Sequence, residues 1–283
     1  MMLCFYFLTY NICVPQLVNH GMSIEFLGKI RDISKQFFEL PLEEKEKYSK
    51  TSINPDGYGT DYPKNTSPIS YRLFLKIYPE EERSLDRWPK DPQNFGELLN
   101  EYGMEVQKLH DFIARAMAQS LNLEEDSFLN GYGVNSEMVL RINYYPPFAD
   151  VDRARVMTRH SDASALTFLL KDREVEALEV LNDGSWFKVP IIPHAIMVII
   201  GDQIEIMSNG IFKSVEHRIR PNLEKGRISL AMFCSPDLEK EVGPLKELVT
   251  EDCPPLYKTM KRYKDSFEQY YIKGLRPISA VKI

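Results

Sequence analysis

A block of short, β-rich segments between residues 138 and 236 is the feature that most restricts how this chain can fold. Branched and aromatic residues form brief runs there, and turn-forming residues separate the runs. Asn182-Asp183-Gly184, between two of the runs, is a strong signal for a tight hairpin. The block therefore predicts a β core. The predicted strands are Val139–Tyr144, Leu166–Leu170, Leu178–Leu181, Trp186–Val189, Ile196–Ile200, His217–Ile219 and Ile228–Phe233.

Helical patterns flank this block on both sides. Apolar residues at helical spacing predict helices over Ser23–Glu39, with Ser23 as the cap, and over Asn94–Leu121. Further charged helices are predicted over Leu42–Tyr48 and Leu256–Lys273. Helices, then strands, then helices indicate a mainly β fold with helical buttresses.

The composition argues against several classes of protein. Thirty-five Lys and Arg against 41 Asp and Glu leave a net charge of −6, which argues against non-specific nucleic-acid binding. No apolar run reaches the roughly 18 residues that a membrane-spanning helix needs. The four cysteines form no Cys-x-x-Cys pair, so neither a disulfide framework nor a thiolate zinc site is expected. A reducing compartment, the cytoplasm, fits this cysteine usage.

The N-terminal stretch Leu3–Val14 is apolar and aromatic. A secretory signal would carry basic residues ahead of its apolar region, but the first basic residue here is Lys29. We therefore interpret the stretch as a buried strand or an irregular leader.

Two histidines and one carboxylate are the candidate metal ligands. His160 and Asp162 lie two residues apart, and on a strand both side chains would point to the same face. His217 follows on another predicted strand. Two histidines and a carboxylate are the ligand set of non-haem Fe(II) oxygenases, but zinc hydrolases use similar ligands. The three residues alone leave the metal open.

A possible anion clamp follows at Arg227-Ile-Ser229. The planar guanidinium of an arginine binds a carboxylate through two hydrogen bonds, and a nearby hydroxyl adds a third. The pair suits a small dicarboxylate whose other end chelates a metal. The competing interpretation of Arg227 is a surface salt bridge.

Residues 140–236 resemble the core of the plant soluble 2-oxoglutarate- and Fe(II)-dependent dioxygenases, and weaker similarity extends from Gln16 to the end of the chain. Several motifs in family order carry this resemblance. They are Asn143-Tyr-Tyr-Pro-Pro147, His160-Ser-Asp-Ala-Ser-Ala-Leu-Thr167, Asp183-Gly-Ser-Trp186, Gly201-Asp202, Glu205-Ile-Met-Ser-Asn-Gly210, Lys213-Ser-Val-Glu-His217 and Arg227-Ile-Ser229.

The resemblance implies a double-stranded β-helix, or jelly-roll, core. It implies oxidative decarboxylation of 2-oxoglutarate with O₂, coupled to hydroxylation, desaturation or O-demethylation of a small molecule, with ascorbate in support. The protein would supply orientation and a dry pocket. The implied roles are Fe(II) ligation by His160, Asp162 and His217, 2-oxoglutarate binding by Arg227, Ser229, Asn143 and Tyr145, and a substrate mouth at Phe233, Arg141 and Phe74.

The resemblance also divides the chain into three parts of one structural unit. Residues 1–137 would form a truncated helical portion that packs on the core, residues 138–236 the catalytic jelly roll, and residues 237–283 a C-terminal helical segment. We expect a monomer whose partner is a small-molecule substrate, with no nucleic acid and no membrane. His20 lies in a family-like Asn-His-Gly turn, where we expect a structural hydrogen bond.

The chain departs from the family pattern in three places. Phe148-Ala149 and Val156 replace the usual residues of that stretch, and Pro68-Ile-Ser-Tyr71 replaces a common motif. Arg159 precedes His160, and we expect it to point away from the metal face. Relatives also carry a longer part before the point that matches Gln16, so exposed apolar surface and low stability are expected. The alternative function is a non-catalytic, truncated relative that keeps the fold as a binding module.

Overall fold

The computed structural model describes residues 4–6, 14–52, 54–60, 70–147, 159–220, 222–272 and 275–283. Within these ranges, an eight-stranded sheet and a three-stranded sheet form the centre of the fold. The strands are β1 (Cys4–Tyr6), β2 (Gln16–Val18), β3 (Gly57–Gly59), β4 (Tyr71–Tyr78), β5 (Glu137–Tyr145), β6 (Leu166–Leu170), β7 (Leu178–Asn182), β8 (Ser185–Lys188), β9 (Ile196–Ile200), β10 (His217–Ile219) and β11 (Arg227–Ser235).

Helices cover the larger sheet and connect its strands. Short 3₁₀ turns lie at Glu80–Glu82, Leu85–Arg87, Lys246–Leu248 and Pro277–Ala280. The α-helices are α1 (Ile24–Glu39), α2 (Leu42–Glu46), α3 (Phe95–Ser120), α4 (Ser127–Tyr132), α5 (Asp202–Met207) and α6 (Tyr263–Ile272).

Every strand pair within these sheets is antiparallel. The strand order of the larger sheet is β1-β2-β9-β6-β11-β5-β4-β3, and that of the smaller is β10-β7-β8. Apolar residues of both sheets meet in one cluster that includes Leu169, Val180, Ile199 and Ala231. The two sheets therefore face each other across a shared interior.

Alternation along β11 separates this interior from the helix-covered face. Leu230 and Met232 pack in the cluster that also contains α1 and α3 residues. Ser229 and Phe233 take the other face, because successive side chains of a strand point to opposite sides. One face of β11 therefore packs against the helices, and its other face lines the space between the two sheets.

The long helices form where the sequence predicts them. The Ser23 hydroxyl accepts a hydrogen bond from the Phe26 amide at 3.0 Å and caps α1. Leu27, Ile30 and Phe37 are fully buried on one side of that helix. The predicted hairpin also forms, with Asn182 paired to Ser185. Asp183 and Gly184 have φ angles of 47° and 77°, as a two-residue turn of this kind requires.

Several regions differ from the sequence-based expectation, and the short helices α4 and α5 are among the elements that were not predicted. Strands β3 and β4 were not predicted, although Leu73, Leu75 and Ile77 alternate as buried residues along β4. The predicted C-terminal helix over Leu256–Lys273 is wrong at its start, because α6 begins at Tyr263. Tyr257 and Met260 form β-bridges with Lys282 and Val242, and this pairing replaces the first turns of the expected helix.

Part of the apolar N-terminal stretch forms a strand. Residues Cys4–Tyr6 pair with Gln16–Val18 at the edge of the larger sheet. Residues 7–13 of that stretch lie outside the described residues, as do Phe148-Ala149 and Val156. None of the helices that the structure describes is long and apolar enough to cross a membrane.

We predict that Leu17→Ala lowers the free energy of unfolding by about 2–5 kcal/mol, the usual range for truncating a fully buried leucine. Leu17 has no exposed surface, and β2 joins β1 to β9. Urea unfolding measures the change. Ile24→Ala is the control, because Ile24 is 61 % exposed and its truncation should change stability by no more than about 0.5 kcal/mol. Equal effects of the two substitutions would contradict the packing of β2.

Candidate functional site

The structure brings the three predicted metal ligands together. His160 and His217 form an antiparallel bridge in which each backbone amide donates to the other's carbonyl, at 3.1 and 2.8 Å. The Nε2 atoms of His160 and His217 lie 3.8 and 3.6 Å from Asp162 Oδ1. Two ligand atoms at about 2.1 Å from one ion are separated by roughly 3.0–3.4 Å, so small adjustments would let the three share a metal.

The backbone at His160 differs from the strand that the sequence argument assumed. His160 contributes a single bridge, and Asp162 follows it in an irregular segment. The ligand atoms nevertheless all lie within 4.8 Å of one another. The neighbouring Arg159 points away from them, as predicted, and its side chain is 60 % exposed, with Nε 3.4 Å from Glu216.

Charge stabilises the ionised form of Asp162. Burial by itself would raise the pKa of this carboxyl, but His217 and His160 outweigh burial and lower the pKa below its ordinary value. Asp162 Oδ2 is buried and has no hydrogen-bond partner among the described residues. The site therefore holds a carboxylate with an unused oxygen between two imidazoles, which is the donor set of a divalent metal ion.

The segment that begins helix α5 holds the loop of Asp162. The Asp202 amide donates to the Asp162 carbonyl at 2.8 Å, and the Gly201 amide donates to the Ala165 carbonyl at 2.9 Å. The Gln203 side-chain amide donates to the Ala163 carbonyl at 2.8 Å. These bonds account for the Gly-Asp motif that the sequence placed outside the metal triad.

Glu205, also on α5, organises the approach to His217. Its buried carboxylate accepts from the Ser214 amide and from the Tyr257 hydroxyl, both at 2.7 Å. Arg276 donates to the same carboxylate at 3.4 Å and to the Ser214 carbonyl at 2.7 Å. The C-terminal region thus supports the segment that leads into the second histidine.

The predicted carboxylate clamp lies on the interior face of β5 and β11. Arg227 is directly opposite Tyr145, and Ser229 is opposite Asn143. The Arg227 guanidinium donates to the Ser229 hydroxyl at 3.1 Å and lies 5.2 Å from the centre of the Tyr145 ring. Only 3 % of Arg227 is exposed, and burial lowers the pKa of its guanidinium. The alternative interpretation of Arg227 as a surface salt bridge is therefore wrong.

A second buried cation lies near Arg227 and was missed from the sequence. Lys171 is 5 % exposed, and its ammonium donates to Gln16 Oε1 and to the Pro190 carbonyl at 2.6 Å. Burial, together with the charge of Arg227, lowers the pKa of Lys171 to about 8. Two buried cations close together create a positive potential that suits an anion. Lys171 directly follows the last residue of β6. Because side chains two residues apart on a strand share a face, Lys171 lies on the same face as Leu169.

Several buried polar atoms of the site have no hydrogen-bond partner among the described residues, and a metal ion and a dicarboxylate would supply such partners. Asn143 Oδ1 and Arg227 Nε join Asp162 Oδ2 among the buried atoms without a hydrogen-bond partner in the described part of the chain. All three residues line one interior cavity together with His160 and His217. Buried polar atoms are rarely left unpaired, so this set fits a bound ion and a polar ligand.

A wider cavity of about 390 Å³ opens beside the ligands. All three residues predicted at the substrate mouth line it, namely Phe74, Arg141 and Phe233. The structure adds Arg72, on the unpredicted strand β4, to this lining. Along β4, residues that pack in the hydrophobic core alternate with residues that face the cavity. Recognising this alternation in the sequence would have identified Arg72.

The remaining histidines have structural surroundings. His20 Nε2 lies 2.8 Å from the His194 carbonyl, so the predicted structural hydrogen bond is present. His110 is buried, and its ring lies 4.8 Å from that of Tyr132. Neither ring lines either of the two cavities beside the metal ligands.

Comparison with known proteins agrees with this geometry. The family model of the 2OG-Fe(II) oxygenase superfamily matches residues 136–236, and that of the non-haem dioxygenase N-terminal region, named for morphine synthesis, matches residues 12–95. The fold and site define a non-haem iron oxygenase with a double-stranded β-helix core. The chain belongs to the 2OG-Fe(II) oxygenase superfamily, and it is an Fe(II)- and 2-oxoglutarate-dependent dioxygenase.

Several plant enzymes are similar over most of the chain. Flavonol synthase 1 of Crocosmia x crocosmiiflora is 41 % identical over 254 residues, covering 88 % of this chain and 76 % of the relative. Jasmonate-induced oxygenase 2 of Arabidopsis thaliana is 39 % identical over 259 residues, covering 90 % of this chain and 68 % of the relative. The crystal structure of JOX2 in complex with 2OG, Fe and JA superposes with a TM-score of 0.85 at 36 % identity, covering 95 % of this chain and 81 % of the other.

We predict that Gly201→Ala lowers Fe(II) affinity by about 10- to 100-fold, the usual effect of disturbing residues that position metal ligands. A Cβ atom at Gly201 would lie 2.0 Å from the Ser164 carbonyl oxygen and 3.1 Å from that of Asp162, so the loop of Asp162 must move. Anaerobic calorimetric titration with Fe(II) measures the affinity. The control is Gly96→Ala, because a Cβ there meets Trp88 at an ordinary 3.5 Å. Unchanged iron binding in Gly201→Ala would refute the positioning role of α5.

Proposed function

We propose that His160, Asp162 and His217 bind the iron of this dioxygenase, and that Arg227, Ser229, Asn143 and Tyr145 bind 2-oxoglutarate. The observation that carries the proposal is the shared cavity, in which the three metal-ligand candidates and the clamp residues face one another. Bound iron and 2-oxoglutarate together supply the oxidising chemistry, which consumes O₂ and releases succinate and CO₂.

The residues of the clamp orient the cosubstrate. Arg227 offers its guanidinium and Ser229 its hydroxyl to the distal carboxylate of 2-oxoglutarate, and the Tyr145 ring covers the guanidinium. The opposite end of the dicarboxylate then faces His160, Asp162 and His217. The interior apolar residues of both sheets keep water away from this arrangement, which strengthens the charge–charge contacts.

The substrate is a small plant metabolite that enters the cavity lined by Phe74, Arg141 and Phe233. A cavity of about 390 Å³ lies within the usual size range for small-molecule sites. The names of the similar enzymes include flavonol synthase and jasmonate-induced oxygenase, so the substrate belongs to specialised or hormone metabolism. Hydroxylation, desaturation and O-demethylation are all reactions that such a site can direct.

We also propose that the protein works as a monomer in the cytoplasm, with ascorbate maintaining its iron in the reduced state. Among the described side chains, Cys234 and Cys253 are free thiols, which supports a reducing compartment. The net charge of −6 argues against a nucleic-acid partner.

The test is succinate release by the purified protein. Mixed with Fe(II) and 2-oxoglutarate under argon, it should develop a metal-to-ligand charge-transfer band, and admission of O₂ should produce succinate. Absence of both signals would favour the alternative, a non-catalytic relative that retains the fold as a binding module.

Two substitutions separate the proposed roles. Asp162→Ala should abolish succinate release, because the metal loses its only carboxylate ligand among the three residues. Arg227→Ala should mainly raise the KM for 2-oxoglutarate, by about 10- to 100-fold. A change of this size corresponds to the loss of hydrogen bonds between a charged donor and a carboxylate. Asp86→Ala is the matched control, because the Asp86 side chain is 72 % exposed. Full turnover by Asp162→Ala would overturn the ligand assignment.

A further inference from the structure

The cavity beside the metal ligands combines aromatic rings with arginines. The rings of Phe74, Phe233 and Phe267 line it, as do the side chains of Arg72 and Arg141. Arg72 is only 6 % exposed. An aromatic cavity that contains buried guanidinium groups is suited to a ligand that is apolar over most of its surface and negatively charged at one point.

The strand register directs both arginines to the same place. Arg72 is directly opposite Asn143, and Phe74 is directly opposite Arg141, in the pairing of β4 with β5. Residues opposite each other share a face of a sheet, so all four side chains project into the interior. Arg72 and Arg141 occupy diagonal positions, about 7–8 Å apart at the backbone. Two long side chains at that spacing can bind one carboxylate together.

The state of Arg141 supports an anionic ligand. Its guanidinium lies 4.6 Å from the centre of the Phe233 ring, and its Nε is buried without a hydrogen-bond partner in the described part of the chain. A guanidinium stacked on a ring keeps its edge available for a carboxylate.

Among the described residues that line the cavity, Arg72, Arg141 and Lys264 are basic and Asp162 is acidic. Lys264 also lines the cavity, but its ammonium is bound by Glu137, which Lys76 contacts as well. Asp162 is the one carboxylate among the described lining residues, and a bound metal ion would oppose its charge.

This carboxylate site is separate from the one for 2-oxoglutarate. Arg227 is opposite Tyr145, which is four positions along β5 from Arg141. Four residues of a strand span about 13 Å, so one small dicarboxylate cannot occupy both sites. His160, Asp162 and Arg141 line both the cavity that contains Arg227 and the wider cavity that contains Arg72.

We propose that the substrate of this dioxygenase is an apolar carboxylic acid whose carboxylate binds Arg72 and Arg141. Its ring or chain then contacts Phe74, Phe233 and Phe267, and the carbon to be oxidised lies away from the carboxylate, toward His160 and Asp162. This inference rests on the proposed function, because it names the substrate class of the same site.

The first test measures binding without turnover. The protein is loaded with Fe(II) and 2-oxoglutarate under argon and titrated calorimetrically with 4-phenylbutyric acid, its methyl ester and 4-phenylbutan-1-ol. These probes share one carbon skeleton and differ in charge. The acid should bind at least about tenfold more tightly than the ester or the alcohol, a difference of about 1.4 kcal/mol. Equal affinities, or no binding of the acid at millimolar concentration, would overturn the proposal.

The second test assigns the preference to the arginines. Arg72→Gln and Arg141→Gln should each weaken binding of the acid by about tenfold or more and leave the affinity for the ester unchanged. Ester binding shows that the cavity is intact in each variant. Arg115→Gln is the matched control, because Arg115 pairs with Asp126 on an exposed surface and should not alter either affinity. An unchanged acid-to-ester ratio in both cavity variants would contradict the proposed role.

The outcomes separate this inference from the proposed function. Absence of succinate after O₂ is admitted rejects the catalytic proposal, whatever the acids do. Succinate release that neutral substrates stimulate, with no preference for acids in the titrations, rejects only the substrate class.

Discussion

The antiparallel pairing of β5 with β11 is the constraint on which the rest of the structure depends. It places Arg227 opposite Tyr145 and Ser229 opposite Asn143, and it directs alternate residues of both strands to the interior. The other residues of β11, including Leu230 and Met232, pack in the core with the helices. A shift of one residue would exchange the two faces and bury polar residues against the helices. The same hydrophobic alternation that stabilises the sheet therefore fixes the polar site.

Helix α5 connects the two halves of the metal site. Its first residues bind the loop of Asp162 through backbone hydrogen bonds, and Glu205 binds the segment before His217. Tyr263 on α6 donates to the buried Asp202 carboxylate at 2.6 Å. The C-terminal region is thus coupled to the site by hydrogen bonds to residues that are not themselves metal ligands. This explains why motifs on both sides of the triad accompany it in the sequence.

Sequence reasoning singled out residues that the structure brings together around one cavity, but it missed several of the elements that surround them. His160, Asp162 and His217 were identifiable because their chemistry is rare, and Arg227 and Ser229 because they follow at close spacing. Arg72 was missed because β4 carries both charged and apolar residues beside a loop rich in turn formers, which obscured its alternation. Lys171 was missed because a lysine at a strand end is usually exposed, and only the tertiary structure buries it beside Arg227. The start of α6 was missed because β-bridges at Tyr257 and Met260 are long-range contacts.

The bridge between His160 and His217 also has a mechanical consequence. His217 belongs to the smaller sheet, whereas the loop of Asp162 leads directly into β6 of the larger one. An ion held by all three residues cross-links the sheets at the mouth of the interior, much as a disulfide closes a loop between distant residues. Because the unfolded chain does not hold this cluster together, the binding energy of the ion becomes folding energy. An iron ion bound by these three residues would therefore raise the free energy of unfolding as well as enable the reaction.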